Sequence, residues 1–190
     1  MVCDQNTTDQ QIVQLSLIDK NNYSCLIERY EAKLLRYIKR FSGLSEDNAQ
    51  DVLQNTFIKA YKNLNDFDQG LKFSSWIYSI AHNETISYIR SQKSHGANLG
   101  DFDQEALENI ASELKLESTA ETGLLKEKVK KVLANLNENY REILILSFIE
   151  QKDYSEISDI LAKPMGTVAS QISRAKKQFL EQAENMGIKF

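Results

Sequence analysis

Apolar positions recur at helical spacing along most of this chain. From Asp9 to about Asp19 the stripe is Ile12, Leu15 and either Ile18 or Leu17, which predicts a short helix. A longer helix follows from Tyr23 to about Phe41. Leu26, Tyr30, Leu34, Ile38 and Phe41 share one face, with Arg29, Lys33, Arg36, Lys39 and Arg40 around the rest, and Gly43 ends it. Ser45 is a plausible N-cap for a third helix, with Glu46 and Asp47 in the first turn, where the helix dipole favours carboxylates. That helix runs to about Leu64 and is expected to bury Leu53, Phe57, Tyr61 and Leu64, turning Asp51, Gln54, Asn55 and Lys59 outward.

The stretch Asn65-Asp66-Phe67-Asp68-Gln69-Gly70 then breaks the pattern and carries an aromatic ring where the chain is expected to be exposed. A fourth helix is predicted from Phe73 to about Lys93. In it Phe73, Trp76, Tyr78, His82, Asn83 and Tyr88 mix aromatic faces with amide and imidazole edges, and Lys72, Arg90 and Lys93 add positive charge. Rings that stack and cations that hold a backbone suit unstacked bases. An aromatic stripe is also what a core looks like, so Phe73, Ile77 and Ile80 are assigned to the interior and Trp76 fits either role.

Periodicity fades between Ser94 and Gly123. SHGANLG is turn-like, and Phe102, Leu107, Ile110 and Leu114 make at most a transient amphipathic turn or two. It resumes with Leu125, Val129, Val132, Leu133 and Leu136, then with Tyr140, Ile143, Leu144 and Phe148 in a helix from Glu138 to Ile149. Two short helices close the chain. Tyr154, Ile157, Ile160 and Leu161 mark the first, and Val168, Ile172, Ala175 and Phe179 the second. Between them Pro164 cannot continue a helix, and Gly166 is expected to let the backbone turn before Thr167. This is a helix-turn-helix.

Seven Gly and one Pro in 190 residues, against plentiful Leu, Ile, Glu, Lys and Gln, make the fold class all-α. The pattern predicts two small helical bundles, residues 9–93 and 124–182, joined by an acidic flexible linker, residues 94–123. The N-terminus is polar and no apolar run approaches membrane-spanning length, so the expected location is the cytoplasm. Cys3 and Cys25 lie far apart outside any CxxC, which leads us to expect free thiols. With His82 and His95 as the two histidines they form no zinc pattern, and no cofactor is expected. There is also no glycine-rich phosphate loop and no HExxH, which leaves nothing to assemble an enzyme from.

A net charge of -4 is unusual for a nucleic-acid binder until it is divided along the chain. Residues 96–125 hold 7 acidic side chains and 1 basic one, whereas residues 126–190 hold 9 and 11. The acidity belongs to the linker, and the C-terminal segment is mildly basic. On its last helix Thr167, Ser170, Gln171, Arg174, Lys177 and Gln178 share the face opposite the apolar stripe. That row is rich in donors and has no carboxylate, as a helix lying between two rows of phosphates requires. Gln171 can read adenine bidentately, and Arg174 can reach a guanine or a phosphate.

Taken together, these stretches resemble the extracytoplasmic-function (ECF) group of bacterial RNA polymerase sigma factors, from about Asp9 to Gln182. DNAQDVLQNTFIKAYKNLNDF and FSSWIYSIAHN look like region 2 of that family. LNENYREILILSFIEQKDYSEISDIL and PMGTVASQISRAKK look like region 4. The resemblance implies that Asp51 and Gln54 dock on the clamp of the largest subunit of core RNA polymerase. It implies that Phe67, Gly70 and Asn83, with Lys72, Trp76 and His82 nearby, capture a flipped base of the minus-10 element, and that Thr167, Ser170, Gln171, Arg174 and Lys177 read the minus-35 duplex. It further implies that the acidic linker follows the polymerase's RNA path, although a plain tether explains the linker equally. An anti-sigma factor is the partner the family habitually has.

Some positions depart from the family pattern. Ala169 and Gln171 stand where Lys and Arg are usual around the recognition-helix serine, a loss of two cations. Asn55 replaces a common acidic residue and His82 a common Arg. The function expected is that of an ECF-type sigma factor, a non-enzymatic subunit that gives core polymerase promoter choice and aids melting. The alternative is a stand-alone helix-turn-helix regulator whose N-terminal half is a sensor or dimerisation module.

Overall fold

A computed structural model of the chain describes residues 4, 6–91 and 122–187, with side chains from residue 128 onward in the second stretch. Residues 94–121 of the predicted linker, with Phe102, Leu107, Ile110 and Leu114, lie outside the described residues, as do Cys3, Lys93 and the side chain of Leu125, while its last two, Thr122 and Gly123, already belong to a helix. The described residues are helical, and the chain divides into two compact units, residues 1–98 with 159–162 and residues 99–158 with 163–190.

The first unit holds α1 (Asp9–Ile18), α2 (Tyr23–Ser42), α3 (Glu46–Lys62) and α4 (Phe73–Ser91). A capping box starts α1: the Gln11 amide donates to the Thr8 hydroxyl, and the Thr8 amide donates to the Gln11 side-chain oxygen at 2.9 Å. Its buried residues are Ile12, Val13 and Ser16, while Ile18 is 85% exposed and Leu17 stands in solvent. The expected Leu15 and Ile18 stripe is therefore displaced by about one position, because α1 packs through the edge that carries Val13. Asp9 fastens α1 to α2 by an ion pair to Arg29 at 2.6 Å and by accepting from the Tyr30 hydroxyl.

On α2 the predicted face is buried throughout: Leu26, Tyr30, Leu34, Ile38 and Phe41. Gly43 closes the helix in the left-handed region at φ 72°, a conformation that costs a residue with a Cβ about 1–2 kcal/mol. Cys25 on this helix is buried and disulfide-bonded, which overturns the expectation of a free thiol there. Helices α2, α3 and α4 pack on one another, with Tyr37 and Tyr78 tilted together at 5.1 Å in the core. Tyr61 departs from its expected burial: it lies at the rim, 37% exposed, its ring edge on Tyr23.

In the second unit α5 (Thr122–Asn135) and α6 (Glu138–Leu144) pack against α8 (Met165–Asn185). Val129, Val132, Leu133, Leu136, Ile143, Leu144 and Phe148 are buried, as their spacing predicts. The helix expected from Glu138 to Ile149 does not stay α-helical; Ile145–Ile149 widens into a π turn. The Glu150 amide reaches back to the Ile145 carbonyl and the Lys152 amide to that of Leu146, both at 2.9 Å. Gln151 between them sits at φ 51°, so a non-glycine residue makes the stop.

Helix α7 (Tyr154–Leu161) begins with a reciprocal cap in which the Glu156 amide donates to the Asp153 carboxylate at 2.8 Å and the Asp153 amide to that of Glu156 at 3.1 Å. The turn that follows is not made by Gly166. Its left-handed residue is Ala162, at φ 51°, and α8 already starts at Met165. A Cβ added at Gly166 would meet nothing within 4 Å. Pro164 is the N-cap of α8, where a missing amide hydrogen leaves no bond unmade.

Candidate nucleic-acid and polymerase interfaces

Helix α3 shows how apolar spacing builds a surface. Ala49, Val52, Leu53, Thr56, Phe57 and Ala60 turn inward. Asp51, Gln54 and Asn55 are exposed and share one outer stripe with Ile58 and Tyr61, which follow Gln54 at four and seven residues. Ile58 is 45% exposed. Ile58 and Tyr61 thus stand partly open among polar neighbours on this stripe. Sequence reading named the polar members. It missed Ile58 and assigned Tyr61 to the core, although the spacing from Gln54 was there to be seen. Lys59, at the edge of this face, is held to Glu84 of α4 by an ion pair at 2.7 Å.

On the same unit Phe67 is 6% exposed, so the ring expected in an open loop is an interior one. It packs against Phe73 and Trp76, with centroids at 5.6 and 5.1 Å, and Phe73 lies 5.6 Å from Trp76. Burying an aromatic side chain outweighs the solvation of its small loop. Trp76 is the half-buried outer member of this trio. Trp76, Asn83 and Arg90 fall within one stripe of α4, Lys72 immediately precedes the helix, and Lys72, Asn83 and Arg90 are exposed. Gly70 is exposed too, in a turn closed by its amide donating to the Asp68 carboxylate at 2.9 Å.

His82 does not join that row. Its ring stacks on Phe41 of α2 at 5.9 Å and is half-buried, because residue 82 points about a third of a turn away from Trp76. Tyr78, expected among the interleaved aromatics, is wholly interior, while Ile80, expected in the core, is half-buried.

Helix α8 separates its faces cleanly. Val168, Ile172, Ala175 and Phe179 are buried, whereas Thr167, Ser170, Arg174 and Lys177 are exposed. The Ser170 hydroxyl donates back to the Thr167 carbonyl at 2.9 Å, and Lys177 stands 3.7 Å from Glu181 at the far end of the row. Two members differ from the expected wet face. Gln178 is half-buried, and Gln171 is half-buried with its side-chain oxygen accepting from the Lys163 ammonium at 3.3 Å. Lys176 turns back over the Phe148 ring at 4.8 Å and so serves the fold.

These surfaces coincide with the segments by which the chain is recognised. Residues 26–95 match Sigma-70 region 2, and residues 126–179 match Sigma-70, region 4. The ECF RNA polymerase sigma-E factor of Haemophilus influenzae is 30% identical over 180 residues, which cover 91% of this chain and 94% of that protein. The chain belongs to the ECF RNA polymerase sigma factors. The ECF sigma factor SigW of Bacillus subtilis is 28% identical over 186 residues, 93% of this chain and 97% of its own length. Among solved structures, the sigma factor RpoE of Bartonella quintana, in complex with the anti-sigma factor NepR, shares the fold at a TM-score of 0.63 and 23% identity, covering 86% of this chain and 97% of that one.

Sigma factors act in transcription initiation, and the all-α architecture, the family and that role agree with the expectations set out above. Among the described residues, no helix is long and apolar enough to cross a membrane.

Proposed function

We propose that this ECF sigma factor binds core RNA polymerase through the outer stripe of α3 and selects promoters with two separate nucleic-acid surfaces. The domains are residues 9–93 and 124–182, with residues 94–123 as tether. Asp51 and Gln54 supply polar contacts to the polymerase clamp, and Ile58 and Tyr61 the apolar ones. On α4, Trp76 and Asn83 receive the unstacked minus-10 base, a ring face and an amide edge seven residues apart on one stripe. Gly70 and Lys72 lie beside them, and Phe67 supports Trp76 from beneath rather than offering a face of its own. His82 contributes by holding α4 to α2. Thr167, Ser170, Gln171, Arg174 and Lys177 read the minus-35 duplex.

The observation that carries the proposal is the outer row of α8 from Thr167 to Gln178, which holds no carboxylate before Glu181 and is set over a fully buried stripe. Such a row is matched to a duplex groove and has no use inside a bundle. The chain carries out no chemistry of its own, works in the cytoplasm, and is held inactive by an anti-sigma factor that covers these same surfaces.

Run-off transcription with core polymerase and a genomic promoter library, paired with a gel shift of the chain alone, is the direct test. Initiation that needs core, with feeble duplex binding by the free chain, is the expected outcome. Tight binding to a palindrome without core would instead make the chain a stand-alone regulator.

A further inference from the structure

Position 171 faces the proposed groove with a glutamine, and a glutamine ordinarily reads adenine, its oxygen accepting from the N6 amino group while its nitrogen donates to N7. Here that oxygen is occupied. The Lys163 ammonium donates to Gln171 Oε1 at 3.3 Å, and both side chains are half-buried. Lys163 leaves the turn from a fixed point, since its amide donates to the Ser158 carbonyl at 3.1 Å and its own carbonyl accepts from the Ser158 hydroxyl at 2.5 Å.

We infer that Lys163 and Gln171 form one composite reader whose specificity is for guanine rather than adenine. An adenine brought to this position would press its amino donor against an ammonium. A guanine offers two acceptors, O6 and N7, to two donors, the Lys163 ammonium and the Gln171 amide nitrogen. The pair thereby has the donor pattern of a bidentate arginine, assembled from two side chains, one on the turn and one on the helix. The lysine returns one positive charge to the centre of a row that has a neutral residue at 171. This inference rests on the reading of α8 as the minus-35 helix.

The test is transcription by core polymerase and the full chain from a promoter the chain initiates on, its upstream element randomised and transcripts counted by base at each position. The unsubstituted chain is expected to select guanine at one position where Gln171→Ala removes the selection. Lys163→Met keeps the stem and deletes the charge. It is expected to shift that same position toward adenine by about tenfold, the order of discrimination a bidentate contact supplies, and to leave other positions alone. Lys163→Ala should give the same shift.

Adenine selected by the unsubstituted chain at the Gln171 position overturns the pairing. So does an equal loss across all sequences with Lys163→Met, and so does a library in which no position responds to Gln171→Ala while Arg174→Ala still changes one. If neither Gln171→Ala nor Arg174→Ala alters any position, α8 is not the reading helix and the underlying proposal falls with it.

Discussion

The two units present nucleic-acid surfaces of different construction. On the first, the candidate base-binding residues are continuous with the core: Trp76 rests on Phe67 and Phe73, and those two rings are buried. On the second, the inward residues Val168, Ile172, Ala175 and Phe179 of α8 are aliphatic or aromatic, and the outward Thr167, Ser170, Arg174 and Lys177 are polar, with Met165 exposed in the first turn. A surface for an unstacked base needs a rigid aromatic wall, and rigidity comes from packing. A surface for duplex DNA needs long donors that reach past the helix, and reach is independent of what lies beneath. Substitutions should therefore couple stability to function in the first unit and separate them in the second.

The sharpest way to break that contrast is Phe67→Ala. Loss of a buried ring should destabilise the first unit by about 3 kcal/mol, seen as an earlier urea midpoint, and should weaken promoter opening through Trp76. Lost opening with unchanged stability would mean that Phe67 meets DNA directly. Arg174→Ala comes next. It should cost about 2 kcal/mol of promoter affinity and under about 0.5 kcal/mol of stability, and loss of preference at one base rather than at all would assign it to a guanine instead of a phosphate. Unfolding and footprinting on one preparation settle both halves.

Tyr23→Phe probes the support beneath α3. The Tyr23 hydroxyl donates to the Phe57 carbonyl at 2.8 Å, and burial, with Tyr61 beside it, raises its pKa well above the ordinary 10.0. The folded state thus keeps a proton that the unfolded chain loses. The corresponding stability is fully present below about pH 10 and declines as pH rises past it. The substitution should cost about 1 kcal/mol at neutral pH and flatten the alkaline decline in melting temperature. A decline of unchanged steepness would place its origin in another group.

The smallest effect belongs to the turn ahead of α8. Ala162→Gly relieves a left-handed alanine and should stabilise by about 0.5 kcal/mol, after the added freedom of the unfolded chain is set against about 1 kcal/mol of relieved strain. It should leave base preference untouched. A changed preference would tie the turn's backbone to recognition, and with it the position of Lys163.

Much of this was legible beforehand. The long faces of α2 and α8 run for four turns or more, so their period is unmistakable, and each predicted inward residue is buried. Thr167, Ser170, Arg174 and Lys177 on the outside of α8 followed from the same spacing, as did Asp51 and Gln54 on α3, whereas Gln171 and Gln178 are half-buried. Short elements were less certain: two turns of α1 left Leu15, Leu17 and Ile18 as rivals to Val13, and only the packing partner chose between them. Gly166 drew attention as the turn's glycine, but sequence does not reveal which residue bears the positive φ, and that residue is Ala162.

By itself the order of residues determined the helices, the two-part layout and the outward chemistry of each surface, because periodicity and charge are properties of neighbours within four positions. Tertiary structure alone decided that Phe67 lies inside, that His82 serves α2 and that Lys163 reaches Gln171. Each of these depends on groups brought together across a turn or between helices, and no local spacing encodes that distance.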